Sequence, residues 1–251
     1  MTAVGSNTIL SVFILFCRIG ACLMLMPGFS SDRVPTQMRL FLVLAVTLAL
    51  APLLVARVEP ELRDGSLAVM TKLIISESLI GGTIGLLGRF FFMALETLAT
   101  AAAMAVGLGS VLAAAIEDNE LAPQLVSFIT LSATLLFFVA DQHWEVLRAI
   151  ADSYSALPVS DGFGARLSLV QLADIASKTF SLTLRIASPF IIFGIVINLA
   201  IGLANKLTPQ IPVYFISMPF VLAAGLFLLY FVCRQFLQLF ISGFAAWLTT
   251  G

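Results

Sequence analysis

Apolar residues fall in long runs separated by short polar turns. Run one covers roughly Ile9–Met26 and run two roughly Leu40–Ala56, followed by a polar loop, Arg57–Gly65, with Pro60 and five charges. Run three is much longer, from about Leu67 to Ile116, and contains Lys72, Glu77, Arg89 and Glu96. At about 1.5 Å per residue it exceeds a ~30 Å hydrocarbon core more than twofold, so it is expected to fold back or leave the membrane. The stretches Gly81–Gly88 and Gly107–Gly109 are the candidate breaks. An acidic turn, Glu117-Asp118-Asn119-Glu120, precedes run four, Leu121–Ala140. A polar segment, Asp141–Lys178, leads to runs five and six, Thr179–Ala204 and Tyr214–Val232, split by Asn205–Gln210. The pattern predicts an all-α polytopic membrane protein of about six apolar runs, with no internal repeat.

The polar segment has a helical period. Val146, Leu147, Ile150 and Tyr154 share one face, with Glu145, Arg148 and Asp152 on another. After Pro158 and Gly162-Phe163-Gly164, Leu169, Leu172, Ala173 and Ala176 oppose Gln171, Asp174 and Lys178. Two short amphipathic helices are expected, lying on the membrane surface or packing on a neighbour.

Composition agrees. Of 251 residues, 60% are hydrophobic and 11% charged, against about 25% charged in soluble domains. Mean hydropathy is +1.08. A net charge of −1 leaves no basic footprint for nucleic acid. Cys17, Cys22 and Cys233 lie inside apolar runs, at neither disulfide nor zinc spacings, and read as free thiols. No Lys or Arg precedes Arg18, so run one reads as an uncleaved span rather than a secretory signal. If run three folds once, basic residues distribute evenly over the two sides. The positive-inside rule then assigns no orientation, which is unusual for simple spanning helices.

Arg18 sits in the middle of run one. A central Arg costs about 2.5–3.5 kcal/mol, while the ten Leu, Ile, Phe and Val residues of the run return roughly 3–6 kcal/mol. As an isolated lipid-facing helix the run is marginal, so Arg18 is expected to face protein or water. Glu77, Glu96 and Asp141 are the candidate acceptors. A buried pair holding an assembly together, a charge lining a pathway, and snorkelling are all open, and Arg185 is near enough to its run's start to snorkel. Gly81 and Gly85 form a small-xxx-small ridge that lets backbones approach. Pro189 and Pro219 lie within runs five and six, where each removes an amide donor and kinks its helix. Freed carbonyls at membrane depth are tolerated only against protein or a water-filled cavity. These features together suit one component of a multi-helix assembly.

Candidate chemistry is thin. His143 is the only histidine, which precludes a paired-His metal site built from this chain, and neither a phosphate-binding P-loop nor an H-E-x-x-H motif occurs. A triad would have to pair His143 with Asp141, two residues away. Capping or subunit contact suits His143 better. The acidic turn lacks the alternating ligand register of a calcium loop. The chain is expected to be non-enzymatic and to need no cofactor or metal.

Several motifs carry a resemblance. Arg18-Ile19-Gly20, Pro27-Gly28-Phe29-Ser30-Ser31, Val34-Pro35 and Arg39 come first. Pro52, Glu77 with Gly81 and Gly85, and Gly107-Leu108-Gly109 follow, then Asp141-Gln142-His143-Trp144, Ser153 and Pro158. The last block is Pro189, Asn198-Leu199-Ala200-Ile201-Gly202-Leu203 and Thr208-Pro209-Gln210-Ile211-Pro212-Val213-Tyr214-Phe215. Over nearly its whole length the chain resembles FliR-type subunits of the flagellar and type III secretion export gate. Two places depart from that pattern: Lys206 stands where the family has Arg, and the acidic-Pro step is drawn out over Asp118–Pro123. The resemblance implies one domain, 1–251, built like a fusion of the companion FliP- and FliQ-type subunits. It also implies kinked hairpins packed on those companions, alongside FlhA- and FlhB-type proteins, in the bacterial inner membrane. The assembly would pass unfolded export substrates. It places the gate plug at Val106, Gly107, Leu108, Gly109 and Ser110, with acidic Glu117 and Asp118 following. Pro27, Pro35, Gly81, Gly85, Pro189, Asn198, Gly202, Pro209 and Gln210 become helix breaks or close-packing points. Arg18, Glu77, Glu96, Asp141, His143 and Arg185 become buried charges or assembly contacts. The alternatives are the equivalent injectisome subunit and a secondary transporter, whose signature would be inverted repeats with paired broken helices.

Overall fold

The structure, a computed structural model, describes residues 2–30, 34–62, 66–105, 124–160 and 162–250. Its described residues form α1 (Thr2–Leu25), α2 (Thr36–Val58) with a 3₁₀ turn (Glu59–Leu62), α3 (Leu67–Ala105), α4 (Gln124–Val139), α5 (Gln142–Ala156), α6 (Ala165–Leu207) and α7 (Val213–Thr250). No strand occurs among them, and the fold is all-α. Among the described residues, five helices are long and apolar enough to cross a membrane, or six spans if the bent pair α4–α5 counts as one.

Three expectations need correction. The Gly81–Gly88 stretch does not break run three, because α3 continues unbroken through it for 39 residues. Each interior glycine costs up to about 1 kcal/mol of helix stability, and here the absent side chains are used for packing. The second amphipathic segment is not a separate helix. It is the first turns of α6, which runs for 43 residues through Pro189. No Gly or Pro stands between Ala165 and Ser188, so the change from polar to apolar alters the surroundings of the helix and not its backbone. Run six likewise extends to Thr250 as the 38-residue α7, passing through Pro219. At Pro189 the carbonyl freed four residues earlier is satisfied locally: Ser188 Oγ donates to Arg185 O at 2.8 Å.

The chain forms two compact units. The first comprises Met1–Phe91, Phe137–Ser177 and Phe244–Gly251. In it α1 and α2 make an antiparallel hairpin, with Gly20 facing Val43. Helix α3 packs parallel to α1, since Gly81, Gly85 and Gly88 face Arg18, Cys22 and Met26 in the same order. Phe137 and Phe244, both fully buried, meet edge to face at 5.6 Å, and Phe91 meets Phe244 at the same distance. Phe29 adds a further edge contact to Phe137.

The second unit comprises Phe92–Leu136 and Lys178–Gly243. Buried Ala102 and Phe190 pack with Leu228, Leu229 and Val232. Gly194 faces Ala105, and Gly243 faces Leu182. Phe92 meets Phe240 edge-on at 5.1 Å. Exposure dominates the last two helices: in the most apolar window, 22% of α6 and 6% of α7 is buried.

Candidate functional site

The first unit holds a buried charged node built from three helices. Arg18 reaches across from α1 to Glu77 on α3, with Nε donating to Oε2 at 2.6 Å and Nη2 to Oε1 at 2.7 Å. Both side chains are fully buried. This fork-on-fork geometry is the strongest arrangement open to an arginine–carboxylate pair. Nη2 also donates to the Leu157 carbonyl at 3.0 Å, just past the end of α5. Nη1 donates to Ser153 Oγ at 3.3 Å, and that hydroxyl donates onward to Ile150 O at 2.7 Å. The guanidinium carbon lies 4.0 Å from the centroid of the Tyr154 ring, a cation–π contact.

The surrounding helix contacts make this geometry possible. Glu77, Gly81, Gly85 and Gly88 recur at about one-turn spacing on α3. A β carbon at Gly85 would fall 2.5 Å from the Cys22 carbonyl oxygen, and one at Gly81 would fall still closer to the Arg18 carbonyl. The glycine face therefore brings the α1 and α3 backbones together one turn from the ion pair. That proximity excludes water and fixes both side chains. Such a node has no nucleophile or general base aimed at open space. Its chemistry is cohesion: neutralising a charge that lipid would reject.

Sequence reasoning supplied Arg18 and three acceptors for it, of which Glu77 is the one in contact. Glu96 is exposed on α3, and Asp141 is exposed between α4 and α5. Arg185 is exposed on α6. As buried charges these three are corrected: in the isolated chain Glu96 and Arg185 lie on outward helix faces and Asp141 at an exposed corner. The parts played by Ser153, Tyr154 and the Leu157 carbonyl were missed. A signal for them existed, since a buried guanidinium has five donors to place and Ser153 and Tyr154 continue the apolar face of α5.

The family described as "Bacterial export proteins, family 1" matches residues 9–247. The chain belongs to that family. It is similar to proteins named flagellar biosynthetic protein FliR. One from Caulobacter vibrioides is 29% identical over 86% of this chain and 85% of its own length. One from Pectobacterium carotovorum is 28% identical over 88% and 83%, and one from Escherichia coli 27% identical over 84% and 80%.

The remaining candidate positions of this bacterial export protein are scattered. The plug residues Val106, Gly107, Leu108, Gly109, Ser110, Glu117 and Asp118 lie outside the described residues. Pro27 is buried in the turn after α1, and Pro35 precedes α2. Asn198 does not break α6, for its Nδ2 donates to Gly194 O at 2.8 Å within the helix. Gly202 is neither a break nor a close contact, because a β carbon there would meet nothing within 4 Å. Pro209 and Gln210 form the exposed turn between α6 and α7. His143 stacks near Phe138 and Trp144, each at 5.7 Å, and its buried Nδ1 has no hydrogen-bond partner among the described residues. No group of three or more His, Cys, Asp or Glu is placed to hold a metal among them.

Proposed function

We propose that the chain is a membrane-embedded, non-enzymatic subunit of the flagellar type III protein export gate. It would assemble with FliP- and FliQ-type subunits, beside FlhA- and FlhB-type proteins, in the bacterial inner membrane. The assembly would pass unfolded export substrates during flagellum construction. Family membership across residues 9–247 and relatives named as flagellar biosynthetic proteins support this reading.

One structural observation carries it. The helices α3, α6 and α7 have 39, 43 and 38 residues, about 57–65 Å each, against a hydrocarbon core of ~30 Å. Tilt in the usual range of about 0–40° does not absorb that difference. Much of their surface is nonetheless apolar and exposed, as at Met93, Phe180 and Leu239. Apolar helix beyond the reach of lipid needs polypeptide cover, which suits a subunit wrapped by sister chains. Arg18 and Glu77 would hold α1 and α3 in the shape those sisters recognise. The segment Val106–Ser110, with Glu117 and Asp118, would supply the closed-state plug.

Loss of the gene should abolish motility and the secretion of flagellar filament protein, with both restored by the gene in trans. Flagella assembled normally without it would overturn the proposal. Deleting Gly107–Ser110 should leave an assembled gate that leaks ions. A deletion mutant that assembles and stays tight would remove the plug assignment while leaving the subunit role intact.

A further inference from the structure

In the second unit, three exposed charges share one level across three helices. Ala105 faces Gly194, and Ala102 packs with Phe190, so α3 and α6 run parallel in a register that sets Glu96 beside Arg185 in height. Phe92 meets Phe240, Gly243 faces Leu182, and Leu228 and Leu229 pack on the Ala102–Phe190 cluster, so α7 runs antiparallel and sets Arg234 near the same height. Glu96, Arg185 and Arg234 are all exposed. From this row the two last helices continue without a charge, α6 over Ile186–Asn205 and α7 over Tyr214–Cys233. Lys206 and the polar turn Thr208–Gln210 close the far end. Each charge-free stretch has about twenty residues, or about 30 Å of helix, which equals the hydrocarbon thickness of a bilayer.

From this match we propose that lipid acyl chains cover the outward faces of Ile186–Asn205 and Tyr214–Cys233. One water–hydrocarbon boundary lies at the Glu96–Arg185–Arg234 row and the other at Lys206 and the interhelical turn. The faces in question are apolar and open. Ile195, Val196 and Leu199 on α6, and Phe220, Leu226 and Phe227 on α7, are each at least half exposed within the stretch. Amphipathic aromatics stand near both of its ends, with exposed Tyr214 at the turn and exposed Tyr230 one turn before Arg234, as in interfacial belts. Arginines at such a boundary can extend their head groups to lipid phosphates. The parts of α6 before Arg185 and of α7 after Arg234 then lie outside the hydrocarbon, although length and hydropathy admit Ala173–Leu207 and Val213–Leu248 as spans.

The test replaces Val196, Leu226, Phe180 or Leu239 singly by p-benzoylphenylalanine in the full chain. Whole cells are irradiated and the adducts identified by mass. Phospholipid adducts are expected at Val196 and Leu226, and few or none at Phe180 and Leu239. Protein adducts in place of lipid at Val196 and Leu226 would overturn the proposal, as would equal lipid labelling at all four positions. A second readout needs no photochemistry. V196W and L226W chains, reconstituted in phosphatidylcholine vesicles brominated at mid-chain, should lose at least about half of the added tryptophan fluorescence. F180W and L239W should lose less than a quarter, and the reverse order sinks the boundary. The inference stands apart from the export reading, because a motility phenotype tests that reading and lipid labelling tests this one.

Discussion

Gly81 on α3 faces the carbonyl oxygen of Arg18 on α1 with no room for a β carbon between them. This tight backbone approach thus lies one turn from the buried ion pair. Glycine is required there by space alone, since its conformation is ordinary helix. Gly81→Ala should therefore destabilise the protein by about 1–3 kcal/mol, the usual cost of overpacking. Gly202→Ala, in open space on α6, should instead stabilise by up to about 1 kcal/mol through helix propensity. Thermal unfolding in detergent, compared between the two variants, checks both. Equal effects would mean that the α1–α3 contact is not formed.

The ion pair makes a non-additive prediction. Removing either partner leaves an uncompensated buried charge, so Arg18→Leu and Glu77→Leu should each cost about 3–5 kcal/mol. The double variant should be markedly less damaging than the two single costs combined, because no charge remains to be solvated. The same cycle should appear in the yield of companion subunits recovered with the chain. Additive losses would place Arg18 and Glu77 in independent roles.

Asp141 adopts φ +55° at the corner between α4 and α5, and its side chain makes no capping hydrogen bond. A left-handed conformation costs an L-residue about 1–2 kcal/mol, with Asp among the more tolerant types. Asp141→Gly should be close to neutral, trading relief of strain against the loss of a charge at the α5 N-terminus worth about 0.3–1 kcal/mol. Asp141→Val should lower stability by at least about 1 kcal/mol. Melting temperatures of the two variants measure the difference directly.

Ser188 donates to the carbonyl that Pro189 leaves without its helical partner. Ser188→Ala should cost about 0.5–1.5 kcal/mol in the parent chain and much less in a Pro189→Ala background, where the main-chain donor returns. An identical cost in both backgrounds, read from unfolding in detergent, would show that the hydroxyl does not serve the proline break.

Much of the architecture was legible because hydropathy and helical period are local properties. Within the described residues the apolar runs became helix, and the amphipathic face of Val146, Ile150 and Tyr154 became the buried side of α5. Breaks were less legible. Glycines at 81, 82, 85 and 88 look alike whether they interrupt a helix or bring two together, and only the presence of α1 against them decides. The need of Arg18 for a buried acceptor followed from the cost of its charge, but its three candidates were equivalent on that argument. Glu96 stands about 28 Å along the same helix from Glu77, too far to serve the same arginine. That distance matters only once α1 and α3 are known to run parallel and in register.

The sequence by itself determined that the chain is helical, membrane-embedded and burdened with charges that lipid would reject, since those follow from each residue's own transfer energy and spacing. Only the tertiary structure decided that Glu77 neutralises Arg18, with Ser153, Tyr154 and the Leu157 carbonyl completing the node. The choice depends on helix direction and register, and these are set by where the backbones of α1 and α3 can approach across glycine.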